Sequence, residues 1–150
     1  MRIIKVDNST AKETFISFLQ SQKLRVTPER LDLLDEIMTS NGHFDAENFY
    51  SVVREKGIKA SRATVYNTLD LLVQCGLISK YRFGDTTSRY EKAFGRPRHD
   101  HLICLNCGEI LEFVSPELDN IQTKVCKQHG FRFANSSLQI FGTCSKCQKK

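Results

Sequence analysis

Two Cys-x2-Cys pairs, Cys104/Cys107 and Cys144/Cys147, constrain this chain more than any other feature. A Cys-x2-Cys segment places two thiolates on one tight turn, and two such turns build a tetrahedral S4 cage that suits Zn2+. The pairs are 36 residues apart, longer than in a compact zinc ribbon. A shared ion would therefore tie the C-terminal strand back to the hairpin that carries the first pair. The competing explanation is two redox-active Cys-x2-Cys pairs. Cys75 and Cys126 have no spaced partner and read as small buried apolar residues.

The rest of the chain divides into two periodicities. Residues 9–22 carry Phe15, Ile16, Phe18 and Leu19 on one face of a helix. Thr27-Pro28 opens a second helix, with a side-chain oxygen at N-cap and a proline in the first turn. Its Leu31, Leu33, Leu34 and Ile37 face inward, and it stops near Asn41-Gly42. Asp45 caps a third helix that ends at Gly57, and Ser61 caps a fourth that ends at Gly76. The strand-like runs LISKYRF and SRYEKAF follow, separated by a turn at Gly84-Asp85. A hairpin after such helices reads as a winged helix-turn-helix. FGRPR (94–98) reads as a hinge. Beyond it the order is strand (HDHLICL), strand (EILEFV), helix (Pro116 to His129) and strand (FRFANSSLQIFG). The expected class is α+β: a winged-helix domain over 1–93, a hinge over 94–98, and a small metal-binding and dimerisation module over 99–150. A module of that size buries little core by itself, so a zinc cage and a dimer interface are the expected supports.

No run of about 18 apolar residues is present to span a membrane, and MRIIKVDNSTAKE lacks a signal-peptide core. A cytoplasmic location is expected, where cysteines more often bind metal than form disulfides. The net charge is +5. Lys+Arg against Asp+Glu is 14 against 12 over residues 1–94 and 8 against 5 over 95–150. The basic excess is spread out, so DNA binding must be argued from motif and not from bulk charge.

In a helix-turn-helix the second helix enters the major groove and its N-terminal residues reach base edges. Here that helix begins Ser61-Arg62-Ala63-Thr64-Val65-Tyr66-Asn67. Ser61 and Thr64 suit phosphates, Arg62 a phosphate or a guanine, and Tyr66 a thymine methyl, with Asn67 beside them. Arg25 and Arg30 flank the start of the second helix and suit the backbone or minor groove. Lys80, Arg82 and Arg89 on the wing suit the sugar-phosphate chain. The blander reading is a plain helical hairpin with solvated charges, Tyr66 being a half-buried ring.

A second metal constellation starts at His99 and His101. In a strand, residues i and i+2 share a face, so both imidazoles can reach one ion while Asp100 points away. Glu112 lies on the neighbouring strand, Glu91 at the end of the wing, and His43 just before the third helix. Three imidazoles and two carboxylates suit Fe2+, Mn2+ or Zn2+ by ligand type. Surface histidines are the alternative.

RVTPER (25–30), HFDAENFY (43–50), ATVYNTL (63–69), HDHLICLNCG (99–108) and TCSKC (143–147) together resemble the ferric uptake regulator superfamily of metal-dependent bacterial repressors. The resemblance covers nearly the whole chain. It implies a structural Zn2+ on Cys104, Cys107, Cys144 and Cys147. It implies a regulatory site, with Fe2+ foremost, on His43, Glu91, His99, His101 and Glu112. Arg25 and Tyr66 match positions that touch the minor and major groove. The implied partners are a second copy of the chain and double-stranded DNA with a palindromic operator, with no membrane and no small-molecule substrate. A further metal site of many members falls on Arg98, Asp100, Asp119 and Ser136. A cation and a weak ligand there imply that this site is lost, with Arg98 pairing with Asp100 or Asp119. Glutamate at both 91 and 112 resembles the iron sensors; the peroxide-sensing branch usually has aspartate there, although RFGDTTSRYE and ATVYNTL are close to it. Zinc-uptake regulators usually place a cysteine in the sensory site, and residues 91–103 hold none. Two other classes compete with a repressor. A metalloenzyme would need an open coordination position and a substrate pocket. A metal-trafficking protein would have no use for ATVYNTL on a capped helix.

Overall fold

The helix starts are set by caps. In the computed structural model, which describes residues 8–82, 87–94, 96, 98–133 and 136–149, three of the first four helices begin at a side chain that accepts from the backbone. Thr27 takes the Arg30 N–H at 3.3 Å and opens α2, Pro28–Thr39, with Pro28 where its missing N–H costs nothing. Asp45 takes the Asn48 N–H at 2.8 Å and opens α3, Ala46–Glu55. Ser61 takes the Thr64 N–H at 3.1 Å and opens α4, Arg62–Gln74. These follow α1, Asn8–Ser21, which buries Ala11, Phe15 and Leu19 at four-residue spacing. The fourth helix stops at Gly76, whose φ of +80° lets Leu77 N–H reach back to the Leu72 carbonyl at 3.0 Å.

The chain divides into two units, Met1–Pro97 and Arg98–Lys150. In the first, α1 to α4 surround one core containing Phe15, Leu33, Leu34, Ile37, Leu69 and Leu72, all buried. It is completed by an antiparallel hairpin of β1, Ile78–Tyr81, and β2, Arg89–Lys92, in which Ser79 faces Glu91. The expected turn at Gly84-Asp85 lies outside the described residues, as do Gly95 and Pro97 of the expected hinge. One connection was not legible in the periodicity. Phe44 exchanges backbone hydrogen bonds with Tyr90, at 3.0 and 2.7 Å, and their rings stack at 5.7 Å.

The second unit is a three-stranded sheet in the order β4-β3-β5. Its central strand β3, Asp100–Cys104, runs antiparallel to β4, Ile110–Phe113, and parallel to β5, Gln139–Gly142. The helix α5, Pro116–Gln128, connects β4 to β5 and buries none of its residues. The β-β-α-β order matches the expectation. The last strand is shorter than the run 131–142 suggested, with pairing confined to four residues against β3. A short helix that starts after Cys144 and includes Cys147, α6, Ser145–Gln148, was not anticipated; its Cys147 N–H bonds the Cys144 carbonyl at 3.0 Å. Among the described residues no helix is long and apolar enough to cross a membrane.

Candidate metal centres and nucleic-acid interface

The strand β3 and its return to β4 carry Cys104 and Cys107, while after β5 Cys144 caps α6 and Cys147 lies within it. Because β5 pairs in parallel with β3, Cys104 lies opposite Gly142, two residues from Cys144. The four sulfurs lie within 4.8 Å of one another, and Cys107 Sγ is 3.7 Å from Cys144 Sγ. A tetrahedral ion with Zn–S bonds of about 2.3 Å has sulfur–sulfur edges of about 3.8 Å, so the donors fit Zn2+. Their electrostatics fit as well. The Cys144 N–H bonds the Cys104 sulfur at 3.3 Å. With the Cys107 amide it brings the Cys104 thiol down to about 6. Cys147 is pushed up to about 12 by its hydrogen bonding with Cys144, by burial and by the other two cysteines. One thiolate forms readily and a last one resists, so a full S4 set needs a cation to neutralise it. No sulfur pair is bonded as a disulfide.

The nitrogen and oxygen donors form two groups, one in each unit. In the first unit the Phe44–Tyr90 bridge brings His43 beside Glu91, with Nε2 at 2.8 Å from Oε2. Arg96 Nη1 reaches the same oxygen at 3.3 Å. Glu91 is buried. In the second unit His101 faces Glu112 across the β3–β4 ladder. The His99 and His101 rings meet at 4.9 Å, and His99 Nε2 lies 3.6 Å from Glu112 Oε1. The two imidazoles thus lie on one side of the chain. Asp100 is turned away and accepts from the Leu138 N–H at 3.0 Å. Each group combines imidazole and carboxylate without sulfur, a donor chemistry for Fe2+, Mn2+ or Zn2+.

The remaining candidates line the start of α4 and its surroundings. Ser61, Arg62, Tyr66 and Asn67 are exposed and Thr64 is half-buried. Tyr66 is thus a surface ring and not part of the core. The Ser61 and Thr64 hydroxyls share one hydrogen bond at 2.9 Å, which leaves one proton of the pair for an outside acceptor. Arg30 Nη1 donates to the Arg25 main-chain carbonyl at 2.5 Å, which holds the Arg30 guanidinium against the segment before α2. A groove there is lined by Lys23, Arg25, Arg30 and Lys59 together with Ser61 and Thr64. Lys23 and Lys59 were missed in the sequence. Lys23 enters because its φ of +57° turns the chain after α1, which no motif signals. On the wing, Arg89 lies 3.7 Å from Asp45 and Lys80 sits over the Tyr90 ring at 5.8 Å.

The match to the model of the Ferric uptake regulator family runs over residues 21–141. The chain belongs to the ferric uptake regulator family. Its members are metal-dependent, DNA-binding transcription regulators. The chain is 35% identical over 136 residues to the ferric uptake regulation protein of Neisseria meningitidis, covering 90% of this chain and 94% of that one. It is also 35% identical over 132 residues to the peroxide operon regulator of Bacillus subtilis, covering 88% and 90%. Among solved structures, the Helicobacter pylori ferric uptake regulator superposes with a TM-score of 0.81 over 100% of this chain and 99% of that one, at 27% identity.

That Helicobacter pylori protein has three functional metal binding sites. The family's further site, expected to be lost here, falls on Arg98, Asp100, Asp119 and Ser136, and the Arg98 guanidinium pairs with both aspartates. Arg98 Nη1 meets Asp119 Oδ1 at 2.6 Å and Nη2 lies 3.5 Å from Asp100 Oδ2. The same side chain lies over the Phe133 ring at 5.9 Å, and Ser136 Oγ donates to Gln122 at 3.0 Å. Both carboxylates that would face an ion are thus paired with a fixed cation.

Proposed function

We propose that this chain is an iron-responsive transcriptional repressor. It acts in the cytoplasm as a homodimer on a palindromic operator, with Zn2+ in its cysteine cage and Fe2+ as regulatory ion. The observation that carries the reading is the division of the sulfur-free donors. His43 and Glu91 belong to the winged-helix half, and His99, His101 and Glu112 to the zinc-built half. We assign all five to one regulatory set. A divalent ion on such a set supplies coordination energy available in full only when donors of both halves reach it.

The roles of the residues follow. His43 is carried rigidly by the Phe44–Tyr90 bridge, so its placement and that of α3 and α4 are coupled. His101 and Glu112 are fixed by ladder pairing in the other half. Holding both groups at once restricts how the two reading helices of a dimer are spaced, and spacing must match half-sites along the duplex. By linkage, DNA tightens metal binding by the factor through which metal tightens DNA binding. The groove of Lys23, Arg25, Arg30 and Lys59 engages phosphates or the minor groove, and Ser61, Arg62, Thr64, Tyr66 and Asn67 face the major groove. No catalytic step is assigned to the chain.

Iron sensing is supported by glutamate at both 91 and 112 and by the ferric uptake relatives. Peroxide sensing is supported by the Bacillus subtilis relative at the same identity. One experiment separates them: anaerobic titration of zinc-loaded protein and a promoter duplex with Fe2+, Mn2+ and Zn2+, then a peroxide pulse and mass spectrometry of the histidine peptides. The reading expects Fe2+ to raise DNA affinity with no oxygen added to His43, His99 or His101. Rapid oxygen insertion with loss of DNA binding would assign the chain to the peroxide branch. In the same assay His99→Ala should fold and retain zinc yet lose the metal dependence of DNA affinity.

A further inference from the structure

Glu47, in the first turn of α3, does something the DNA-contact reading does not account for. Its two carboxylate oxygens are both engaged, and both partners are proposed DNA contacts on α4. Arg62 Nη1 donates to Oε2 at 2.5 Å, and the Tyr66 hydroxyl donates to Oε1 at 2.5 Å. Arg62 and Tyr66 are four residues apart, so they share one face of the reading helix. The guanidinium of Arg62 also lies over the Tyr50 ring at 5.0 Å, with Arg54 over the same ring at 5.9 Å. Glu47, Arg62 and Tyr66 all face solvent.

We infer that Glu47 sets the specificity of this reading head by holding Arg62 and Tyr66 and opposing phosphate with its own charge. The inference rests on the DNA-binding reading above. A cation on the reading face of a DNA-binding protein ordinarily adds affinity for any duplex, because every duplex offers phosphates. Here the charge of Arg62 is matched by Glu47 before DNA arrives. Transfer of Arg62 to a phosphate or a guanine breaks that pair and leaves a carboxylate beside a polyanion. On an unselected duplex the exchange gains little. On a cognate site it is offset by the base contacts that Tyr66 and its neighbours make. The Tyr66 ring is oriented in advance by its hydrogen bond, so less freedom is lost when it docks. The hydrogen bond from Tyr66, then that from Arg62, holds the Glu47 carboxyl below the usual carboxylate range, so it is charged at neutral pH.

The test is Glu47→Gln, which removes the charge and keeps an oxygen to accept from Tyr66. Metal-loaded wild-type protein first enriches a duplex from a randomised library. Affinities of wild type, Glu47→Gln, Arg62→Gln and the double variant are then measured on that duplex and on a random-sequence duplex of equal length, across a salt series. The expectation is a gain of roughly 3-fold or more on the random duplex for Glu47→Gln. Its salt slope should steepen by about 0.9, the value for one added phosphate contact. The selected duplex should gain less, so the specificity ratio falls. In the Arg62→Gln background the Glu47 effect should shrink to the part that comes from its own charge opposing phosphate. An unchanged ratio and slope, or equal weakening on both duplexes, would reduce Glu47 to an ordinary surface ion pair and overturn the inference. Enrichment of no duplex by wild-type protein, with or without metal, would overturn the DNA-binding reading and the inference with it.

Discussion

The two halves of this chain are held together by different physics. The first unit buries a continuous set of apolar side chains running from Ala11 to Tyr90. Among the described residues of the second, only Ile103 and Cys104 are buried apolar residues. Its helix α5 buries nothing, and Leu102, Leu111 and Ile140 stand exposed on its sheet. Burial of apolar area, at about 25 cal/mol per Å2, can hold the first half and contributes little to the second. There the cysteine cage and the covering of the exposed apolar sheet by the proposed second copy must supply the difference. A winged-helix half that stands on its own core can serve as a stable reading head. A half built by metal and partner is suited to respond to them.

Removing one cage ligand should give the largest contrast. Cys104→Ser should lose zinc and unfold or monomerise the second half while the helices of the first keep their protection in hydrogen exchange. A stable, zinc-loaded dimer would refute the structural role of the cage. Apparent binding free energies of structural zinc run to about 10–16 kcal/mol, which exceeds any other single interaction here. The converse change is Leu69→Ala in α4. Truncating that fully buried side chain should cost about 2–5 kcal/mol of unfolding free energy in the first half and leave the zinc content unchanged. Loss of zinc in that variant would show that the halves do not stand separately. A smaller effect is expected from Ser61→Ala, which removes the cap of α4 and should cost about 1 kcal/mol in denaturant titration. Comparable in size is Arg98→Ala. Its pair with Asp119 is exposed, whereas Asp100 is buried but keeps its bond from the Leu138 N–H, so stability should fall by about 1 kcal/mol. Metal per chain, counted by mass spectrometry, should not change; a gain of one ion would mean that the two aspartates alone suffice as a site.

Legibility in the sequence followed the range of the interactions. Thr27, Asp45 and Ser61 act within three residues, and their helix starts could be read directly. The cage could be read because Cys-x2-Cys is itself a local geometry, and the pairing of β5 with β3 only had to bring two such turns together. His99 with His101 followed from the period of a strand. The pairing of Arg98 with Asp119 followed from charge at matched positions. The contacts that escaped are long in sequence and carry no period. His43 and Glu91 were grouped through the family resemblance, but the isolated bridge that carries one to the other, Phe44 with Tyr90 across 46 residues, was not read. Glu47 reads as an ordinary acid in the first turn of a helix, yet its partners lie 15 and 19 residues on. Lys23 joins the basic groove through a positive φ that its own identity does not favour.

The central claim is that donors from both halves act as one metal set that governs DNA affinity. It is tested most directly by measuring Fe2+ affinity of the zinc-loaded protein with and without its enriched duplex, for wild type, His43→Ala and His99→Ala. The account predicts that DNA tightens Fe2+ binding in wild type by the same factor as Fe2+ tightens DNA binding, and that either histidine change alone removes the coupling. Undiminished coupling in His43→Ala, with His99→Ala abolishing it, would confine the regulatory ion to the second half and contradict the account.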